Sequence, residues 1–193
     1  MRIALTGTLG SGKSTALSIF TEHGFSTIDC DSIVKELINS DLPTGQSLKD
    51  HFGKEICKSE DLIDTRALAD IVFNNPEELK WLEALLHPKV RSVWTSQLEE
   101  HPDQDWVVEI PLLFENHLED TWDHTVCLLT NDKIQLERLE AKGYTLEQAQ
   151  ARIKQQMPSE EKAARADFVI TNNGSLDALK EQIIILINSI IKH

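Results

Sequence analysis

The sequence has 193 residues, which is long enough for one α/β domain with insertions and short for two independent domains. Of these residues 40% are hydrophobic and 26% charged, the balance of an ordinary soluble globular protein. Acidic residues outnumber basic ones by 32 to 19, so the formal net charge is −13. A surface this acidic repels nucleic-acid backbones, and because no run of basic residues offsets it, we expect no nucleic-acid partner.

The cysteines and the start of the chain predict a cytoplasmic protein. Cys30, Cys57 and Cys127 are far apart, odd in number and without a CxxC pair, which favours a reducing compartment over a disulfide framework. Met1 and Arg2 lead directly into a β-like run, so we expect no signal peptide at the start of the chain. The longest apolar run, residues 183–187, is too short to cross a bilayer, so we expect no membrane partner.

Short apolar runs alternate with helical patterns along the chain. Strands are predicted at residues 2–6, 25–29, 106–110, 125–129 and 168–171, and helices at residues 13–22 and 176–190. The first two strands and the helix between them form a βαβ unit. This alternation indicates a parallel β-sheet flanked by helices on both faces, so the predicted fold class is α/β.

Two long helical stretches interrupt the strands. Residues 31–101 contain no good strand, and residues 132–165 are dense in Lys, Arg, Glu and Gln. Insertions of this length usually carry function. We therefore predict a core made of residues 1–30, 102–131 and 166–193, with two helical insertions.

The most specific motif is the phosphate loop (P-loop) at residues 7–14, GTLGSGKS, which fits G-x-x-x-x-G-K-[ST] at every fixed position. Its glycines let backbone N–H groups point at phosphate oxygens, and the following helix adds the positive end of its dipole. Lys13 is expected to reach the β- and γ-phosphates, and the Ser14 hydroxyl to ligate Mg²⁺. The predicted ATP-binding residues here are Thr8, Gly10, Ser11, Gly12, Lys13, Ser14 and Thr15.

Three classes of P-loop NTPase compete for this motif. A regulatory GTPase needs an NKxD base-reading motif, which is absent, and a motor-like or DNA-acting ATPase is usually longer and less acidic. A small-molecule kinase needs an acceptor domain and an arginine-bearing lid that excludes water. The two helical insertions match that need in number and order, so we predict a kinase.

A kinase also needs a group that orients the acceptor hydroxyl, and Asp29 and Asp31 are candidates. Both lie at the end of the second predicted strand, at period-two spacing, and strand carboxyl ends are where open α/β sheets bind ligands. Either carboxylate could instead cap the next helix. We favour Asp31 for the catalytic role.

The chain resembles the dephospho-CoA kinase family nearly from end to end. The resemblance rests on the order and spacing of LTGTLGSGKST, IDCD, LADIVF, LLHPKVR, EIPLLFE and ADFVITNNGS, which begin at residues 5, 28, 68, 85, 109 and 166. It implies transfer of the ATP γ-phosphate to the 3′-hydroxyl of dephospho-coenzyme A, the last step of coenzyme A biosynthesis. It also implies Mg²⁺ and no obligatory protein partner.

The resemblance also implies roles for individual residues. Residues 31–101 become the acceptor domain and residues 132–165 the lid. Asp31 becomes the base or hydroxyl-orienting group, and Glu109 holds a Mg²⁺-bound water. The implied acceptor contacts are Asp31, Arg66, His87, Leu112, Leu113 and Phe114, although the apolar ones suit an ordinary core equally well. The implied ATP contacts are Arg138 and the turn at 172–175 with Asn173, and Gln156 matches a recurrent lid glutamine.

Two departures from the family pattern stand out. Lys142 and Gly143 occupy the places of a second lid arginine and an aspartate, and a lysine lacks the planar fork of arginine. The common Asp-Arg pair reads Asp64-Thr65 here, with Arg66 one place later. Two alternatives stay open: a nucleoside or nucleotide monophosphate kinase, and a nucleotide-binding regulator without catalysis.

Overall fold

A computed structural model describes residues 1–59 and 62–191. Its sheet has five parallel strands in the order β2-β3-β1-β4-β5. The strands are β1 (Arg2–Gly7), β2 (Ser26–Asp29), β3 (Trp106–Glu109), β4 (His124–Leu129) and β5 (Phe168–Thr171). The predicted parallel sheet flanked by helices is confirmed, and each predicted strand is present to within one residue at either end.

The strand order refines the predicted βαβ unit. β2 pairs with β3, and β3 pairs with β1, so the third strand in sequence lies between the first two. Hydrophobic patterning predicts strands but carries no information about which strand is the neighbour of which. The insertion therefore connects two adjacent parallel strands.

The core of the sheet forms around β1 and the two helices α1 (Lys13–Glu22) and α9 (Leu176–Ile191). Apolar side chains at helical spacing place one face of each helix against the sheet. Phe20 of α1 is fully buried and packs edge-on against Phe25. Truncating a buried phenylalanine typically costs about 3–5 kcal/mol, so Phe20 is a main anchor of α1.

The chain divides into two compact units. One consists of residues 1–29 and 103–193, and the other of residues 30–102. The second unit contains α2 (Cys30–Ser40), α3 (Leu42–Phe52), α4 (Thr65–Asn74) and α5 (Pro76–Glu100). It has its own apolar core: Ile38, Leu48, Ile56, Ile63, Leu68, Val72 and Leu86 are all buried.

Side-chain caps set where the helices of the second unit begin. The Asp41 carboxylate accepts the Thr44 N–H at the start of α3, and Asp64 accepts two N–H groups at the start of α4. Asn75 caps α5, whose first residue is Pro76, the position where proline lacks only an N–H that the helix leaves unsatisfied. The Asp64 cap is the local role of the residue that precedes Thr65.

Residues 132–165 form three helices in the first unit. They are α6 (Asp132–Ala141), α7 (Leu146–Lys154) and α8 (Ser159–Arg165). Thr145 and Gln148 form a capping box at the start of α7. Ala149 is the one buried residue of α7, whereas α6 and α8 each bury a polar side chain, Gln135 and Lys162. The role of this segment as a lid stays a prediction.

Within the described residues, no helix is both long and apolar enough to span a membrane.

Candidate active site

The P-loop joins β1 to α1, and two of its glycines are required by close neighbours. Gly12 has φ +96°, and a Cβ atom there would collide with the Nδ2 atom of Asn172. Gly7 has φ +146°, and a Cβ atom there would lie 2.6 Å from the carbonyl oxygen of Leu128. The positive φ angles and the lack of room both exclude a side chain at these positions.

The carbonyl oxygen of Ser11 fixes the orientation of the loop. It accepts hydrogen bonds from Asn172 Nδ2 at 2.8 Å, Thr130 Oγ1 at 3.2 Å and Arg138 Nη1 at 3.3 Å. In a trans peptide the N–H points opposite to the C=O, so the Gly12 N–H points away from these three donors. The negative end of this peptide faces the protein, and its positive end is available to an anion.

Lys13 lies across the loop that it follows. Its Nζ atom donates to the carbonyl oxygens of Gly7 at 3.0 Å and Thr8 at 3.2 Å, and lies 3.6 Å from a carboxylate oxygen of Glu109. The side chain is almost fully buried. The ammonium is thus positioned by weak acceptors that a phosphate oxygen can replace.

Two carboxylates lie at the carboxyl ends of neighbouring strands. Asp29 of β2 is in register with Glu109 of β3, and Glu109 is in register with Leu5 of β1. One carboxylate oxygen of Asp29 and one of Glu109 lie within 4.8 Å of each other. Ser14 is exposed in the first turn of α1. Hydroxyl and carboxylate oxygens are the donors that Mg²⁺ prefers, so these residues fit that ion.

Arg138, predicted to face ATP, lies at the P-loop. Its guanidinium donates to the Ser11 and Asn172 carbonyl oxygens and to the Asn172 side chain. It does not pair with its helix neighbour Glu137, which instead lies 4.0 Å from Lys133. Asn173 is exposed, and its Oδ1 accepts the Asn131 N–H that precedes α6. The base-binding role predicted for Asn173 stays a prediction.

The predicted acceptor residues divide between the two units. In the helical unit, Asp31 is exposed in the first turn of α2, Arg66 is exposed near the start of α4, and His87 is half-buried in α5 before Pro88. In the first unit, Leu112 is half-buried. The structure thus places three of these predicted residues on helices, with Asp31 and Arg66 exposed and His87 half-buried.

Phe114 has a core position. It is fully buried, as is Leu113, and the guanidinium carbon of Arg165 lies 4.9 Å from its ring centroid. The described arrangement leaves its side chain no surface for a substrate, so it fits the core alternative that the sequence left open. Lys142, in the place of the family's second lid arginine, is exposed at the end of α6.

Sequence reasoning missed two polar residues that contact the site region. Gln135 is buried, and its Nε2 donates to Thr8 Oγ1 at 3.0 Å and to the Leu9 carbonyl oxygen. Lys162 is fully buried, and its Nζ donates to the Pro111 carbonyl oxygen at 2.6 Å and to Glu115. A buried polar residue in a highly charged helix gives no periodic signal, because its neighbours are polar too.

The sheet order, the P-loop after β1, the buried lysine and the adjacent carboxylates together define a P-loop kinase fold. The fold is similar to that of shikimate kinase from Aquifex aeolicus, with a TM-score of 0.55 over 97% of this chain and 96% of that one. At 16% identity, this likeness shows the fold alone. The acceptor is a separate question.

Sequence comparisons go further than the fold. The family model described as dephospho-CoA kinase matches residues 1–178. A curated dephospho-CoA kinase from Carboxydothermus hydrogenoformans is 39% identical, covering 96% of this chain and 92% of that protein. The chain therefore belongs to the dephospho-CoA kinase family, as the sequence motifs predicted.

Solved structures agree. Dephospho-CoA kinase from Campylobacter jejuni has a TM-score of 0.70 at 31% identity, covering 99% of this chain and 97% of that one. The protein TT1252 from Thermus thermophilus has a TM-score of 0.81 at 33% identity, covering 98% and 97%. The likeness spans both compact units and the three-helix segment, so it covers the parts that a P-loop alone does not.

Proposed function

We propose that this protein transfers the γ-phosphoryl group of ATP to the 3′-hydroxyl of dephospho-coenzyme A, the closing step of coenzyme A biosynthesis. The observation that carries the proposal is the family match over residues 1–178, which includes both the P-loop and the helical unit. The P-loop geometry supplies the phosphate chemistry, and the family supplies the acceptor.

The P-loop stabilises charge on the transferring group. The Lys13 ammonium moves from the carbonyl oxygens of Gly7 and Thr8 to the phosphate oxygens, which are stronger acceptors. The N-terminal end of α1 and the inward N–H groups add fixed positive potential. Arg138, already at the loop, adds a second cation with a planar fork suited to phosphate oxygens.

Asp31 orients the acceptor hydroxyl and takes its proton. The 3′-oxygen forms the new bond to the γ-phosphorus, the bond to the ADP oxygen breaks, and the proton passes to the carboxylate. Support comes from the position of Asp31, exposed and two residues after the end of β2, where ligands of parallel sheets bind.

Mg²⁺ would suit the carboxylate oxygens of Asp29 and Glu109, which lie close together, and the hydroxyl of Ser14 in the P-loop. The ion would neutralise charge on the phosphate oxygens. Among these residues, the Ser14 hydroxyl would ligate the ion directly, and Glu109 would hold a water bound to it. Glu109 also lies 3.6 Å from the Lys13 ammonium, which compensates part of its buried charge.

The helical unit binds dephospho-coenzyme A, with Arg66 and His87 as polar contacts. Residues 132–165 close over the substrates as a lid and exclude water, which would otherwise accept the phosphoryl group. The compartment that suits these substrates is the cytoplasm, and the absence of a disulfide among the three cysteines agrees with it.

The test is a coupled ADP-release assay with Mg·ATP and a panel of acceptors: dephospho-coenzyme A, AMP, CMP, GMP and adenosine. We expect turnover only with dephospho-coenzyme A and a product phosphorylated at the 3′-position. Turnover only with a nucleoside or a monophosphate would overturn the acceptor assignment and leave the P-loop chemistry intact.

The matched variants Asp31→Asn and Asp50→Asn separate a kinase from a nucleotide-binding regulator. Asp50 is exposed on α3 and has no proposed role. We expect Asp31→Asn to lower kcat by about 10²-fold or more with ATP binding unchanged, and Asp50→Asn to keep wild-type turnover. Equal kcat in both variants would remove Asp31 from the reaction.

A further inference from the structure

The connection between α7 and α8 contacts the P-loop through Gln156. The Leu9 N–H donates to Gln156 Oε1 at 2.9 Å, and the Leu9 carbonyl oxygen accepts from Gln135. Both polar groups of one P-loop residue are therefore satisfied by glutamine side chains from residues 132–165. Leu9 precedes Gly10, so these two contacts fix the outer turn of the loop.

The next residue contacts a different part of the unit. The Met157 N–H donates to Glu115 Oε1 at 2.9 Å, and the same oxygen accepts from Lys162 Nζ at 2.8 Å. Lys162 also donates to the Pro111 carbonyl oxygen, which accepts a further hydrogen bond from the Thr6 hydroxyl. Glu115, in the segment after β3, is thus bonded to Met157, and the buried Lys162 joins the same carboxylate to Pro111.

We propose that Gln156 is a positioning residue for ATP, and that Gln156 and Met157 couple the P-loop to residues 111–115. The two residues are adjacent, so one cannot shift by much without the other. Gln156 contacts the P-loop at Leu9, and Met157 contacts Glu115, the partner of Lys162. The proposal rests on the proposed function for its kinetic readout, but not for its binding readout.

The Leu9 N–H donates to the side-chain oxygen of Gln156. This N–H is part-buried, and a part-buried donor that loses its acceptor destabilises its conformation unless the backbone moves. Movement of the Leu9 peptide shifts Gly10 and the N–H groups after it, which the phosphates need in place. Loss of Gln156 Oε1 therefore weakens ATP binding more than it weakens the fold.

The first experiment compares Gln156→Met, Gln156→Ala and the control Gln150→Met, with Gln150 exposed on α7. ATP affinity is measured by equilibrium titration, KM for each substrate by the coupled assay, and stability by thermal unfolding. We expect both Gln156 variants to bind ATP about 10-fold more weakly, with KM for dephospho-coenzyme A and the unfolding midpoint close to wild type. Methionine keeps the length of glutamine, so its failure isolates the lost acceptor.

Three outcomes would overturn the positioning role. The first is wild-type ATP affinity in Gln156→Met, and the second is an ATP affinity that methionine restores but alanine does not. The third is an equal rise in the KM values of both substrates together with a lower unfolding midpoint. If wild-type protein shows no turnover with dephospho-coenzyme A, the proposed function fails instead, and the ATP titration still decides the role of Gln156.

The second experiment tests the coupling with a double-mutant cycle. Glu115→Gln removes the charge that Met157 and Lys162 share, and it is combined with Gln156→Met and, as a control, with Gln150→Met. We expect the effects on ATP affinity to be non-additive by at least about threefold in the first pair and additive in the second. Additivity in both pairs would reduce Gln156 to a local contact.

Discussion

Two buried lysines lie in the same unit, and they differ in how closely each contacts its carboxylate. Lys13 donates to two backbone carbonyl oxygens and lies 3.6 Å from Glu109, while Lys162 donates to one carbonyl oxygen and lies 2.8 Å from Glu115. The first ammonium lacks a direct hydrogen bond to its carboxylate. The second has one.

On the proposed function, this difference distinguishes a cation that binds phosphate from one that only stabilises the fold. Lys162 forms a direct ion pair with Glu115, so a second anion would add little to the stabilisation of its charge. Burial lowers its pKa, and the Glu115 carboxylate opposes that shift. Lys13 donates to neutral carbonyl oxygens, so a phosphate would stabilise its charge more strongly than these partners do. The following predictions test this contrast, beginning with the largest effect.

Lys13→Met gives the largest loss of activity. We expect kcat/KM to fall by about 10²–10³-fold, because the variant removes a cation that stabilises the transition state, and the unfolding free energy to fall by about 1–2 kcal/mol, because the buried Glu109 loses a cation 3.6 Å away. Steady-state kinetics and urea unfolding measure the two quantities. Lys80→Met, at an exposed position of α5, is the control. A loss confined to stability would make Lys13 a second structural lysine.

Lys162→Met gives the opposite pattern, with stability as the main loss. We expect the unfolding free energy to fall by about 2–3 kcal/mol, because Glu115 is left half-buried without its cation. Lys162→Arg keeps the charge and should lose less. Urea unfolding of both variants checks this, and a Lys162→Met protein as stable as Lys80→Met would contradict it.

Gly12→Ala tests whether the loop around Lys13 is built before ATP arrives. The added Cβ displaces Asn172 Nδ2 from the Ser11 carbonyl oxygen and strains a positive φ, so we expect a cost of about 2 kcal/mol and weaker ATP binding. Gly24→Ala is the matched control, because Gly24 has φ +91° with no neighbour within 4 Å. Equal costs in the two variants would mean that the Asn172 contact contributes nothing.

The pKa of the Cys127 thiol depends on the charges of both lysines, so it can be followed through the pH dependence of stability. Burial raises the pKa of its thiol to about 11 from 9.0, and the charges of Lys162 and Lys13 act against that rise. A raised thiol pKa adds stability below pH 9 that is lost as the pH approaches 11. From about pH 8 to about pH 10, the stability of wild type relative to Cys127→Ala should fall by about 1 kcal/mol. Urea unfolding across this range measures the difference. A flat difference would contradict burial of the thiol.

The sequence predicted the parts of this molecule whose signals are local. The P-loop could be located because all its fixed positions lie within eight residues, and the strands because each is a short apolar run. Asp31 was placed by its position after the second predicted strand, and Arg138 by family resemblance. Arg138 does lie at the P-loop, whereas Phe114 lies in the core, because an apolar side chain fits either location.

Contacts between distant residues could not be predicted in this way. Gln135 is 127 residues from Thr8, and Lys162 is 51 residues from Pro111. Strand order was out of reach for the same reason, because pairing depends on which apolar faces meet and not on either strand alone. Gln156 could be noticed as a family feature, but its partner Leu9 becomes visible only once the chain is folded.

The helical unit replaces a connection between two neighbouring strands. The chain leaves the sheet at the end of β2 and returns at the start of β3, and those strands pair directly with each other. Residues 30–102 also carry their own apolar core, so their packing does not depend on the sheet's register. In evolutionary terms, one crossover can be exchanged for another while the phosphate chemistry is inherited unchanged. On the proposed function, the groups that choose the acceptor and the groups that bind phosphate then lie in separate segments of the chain.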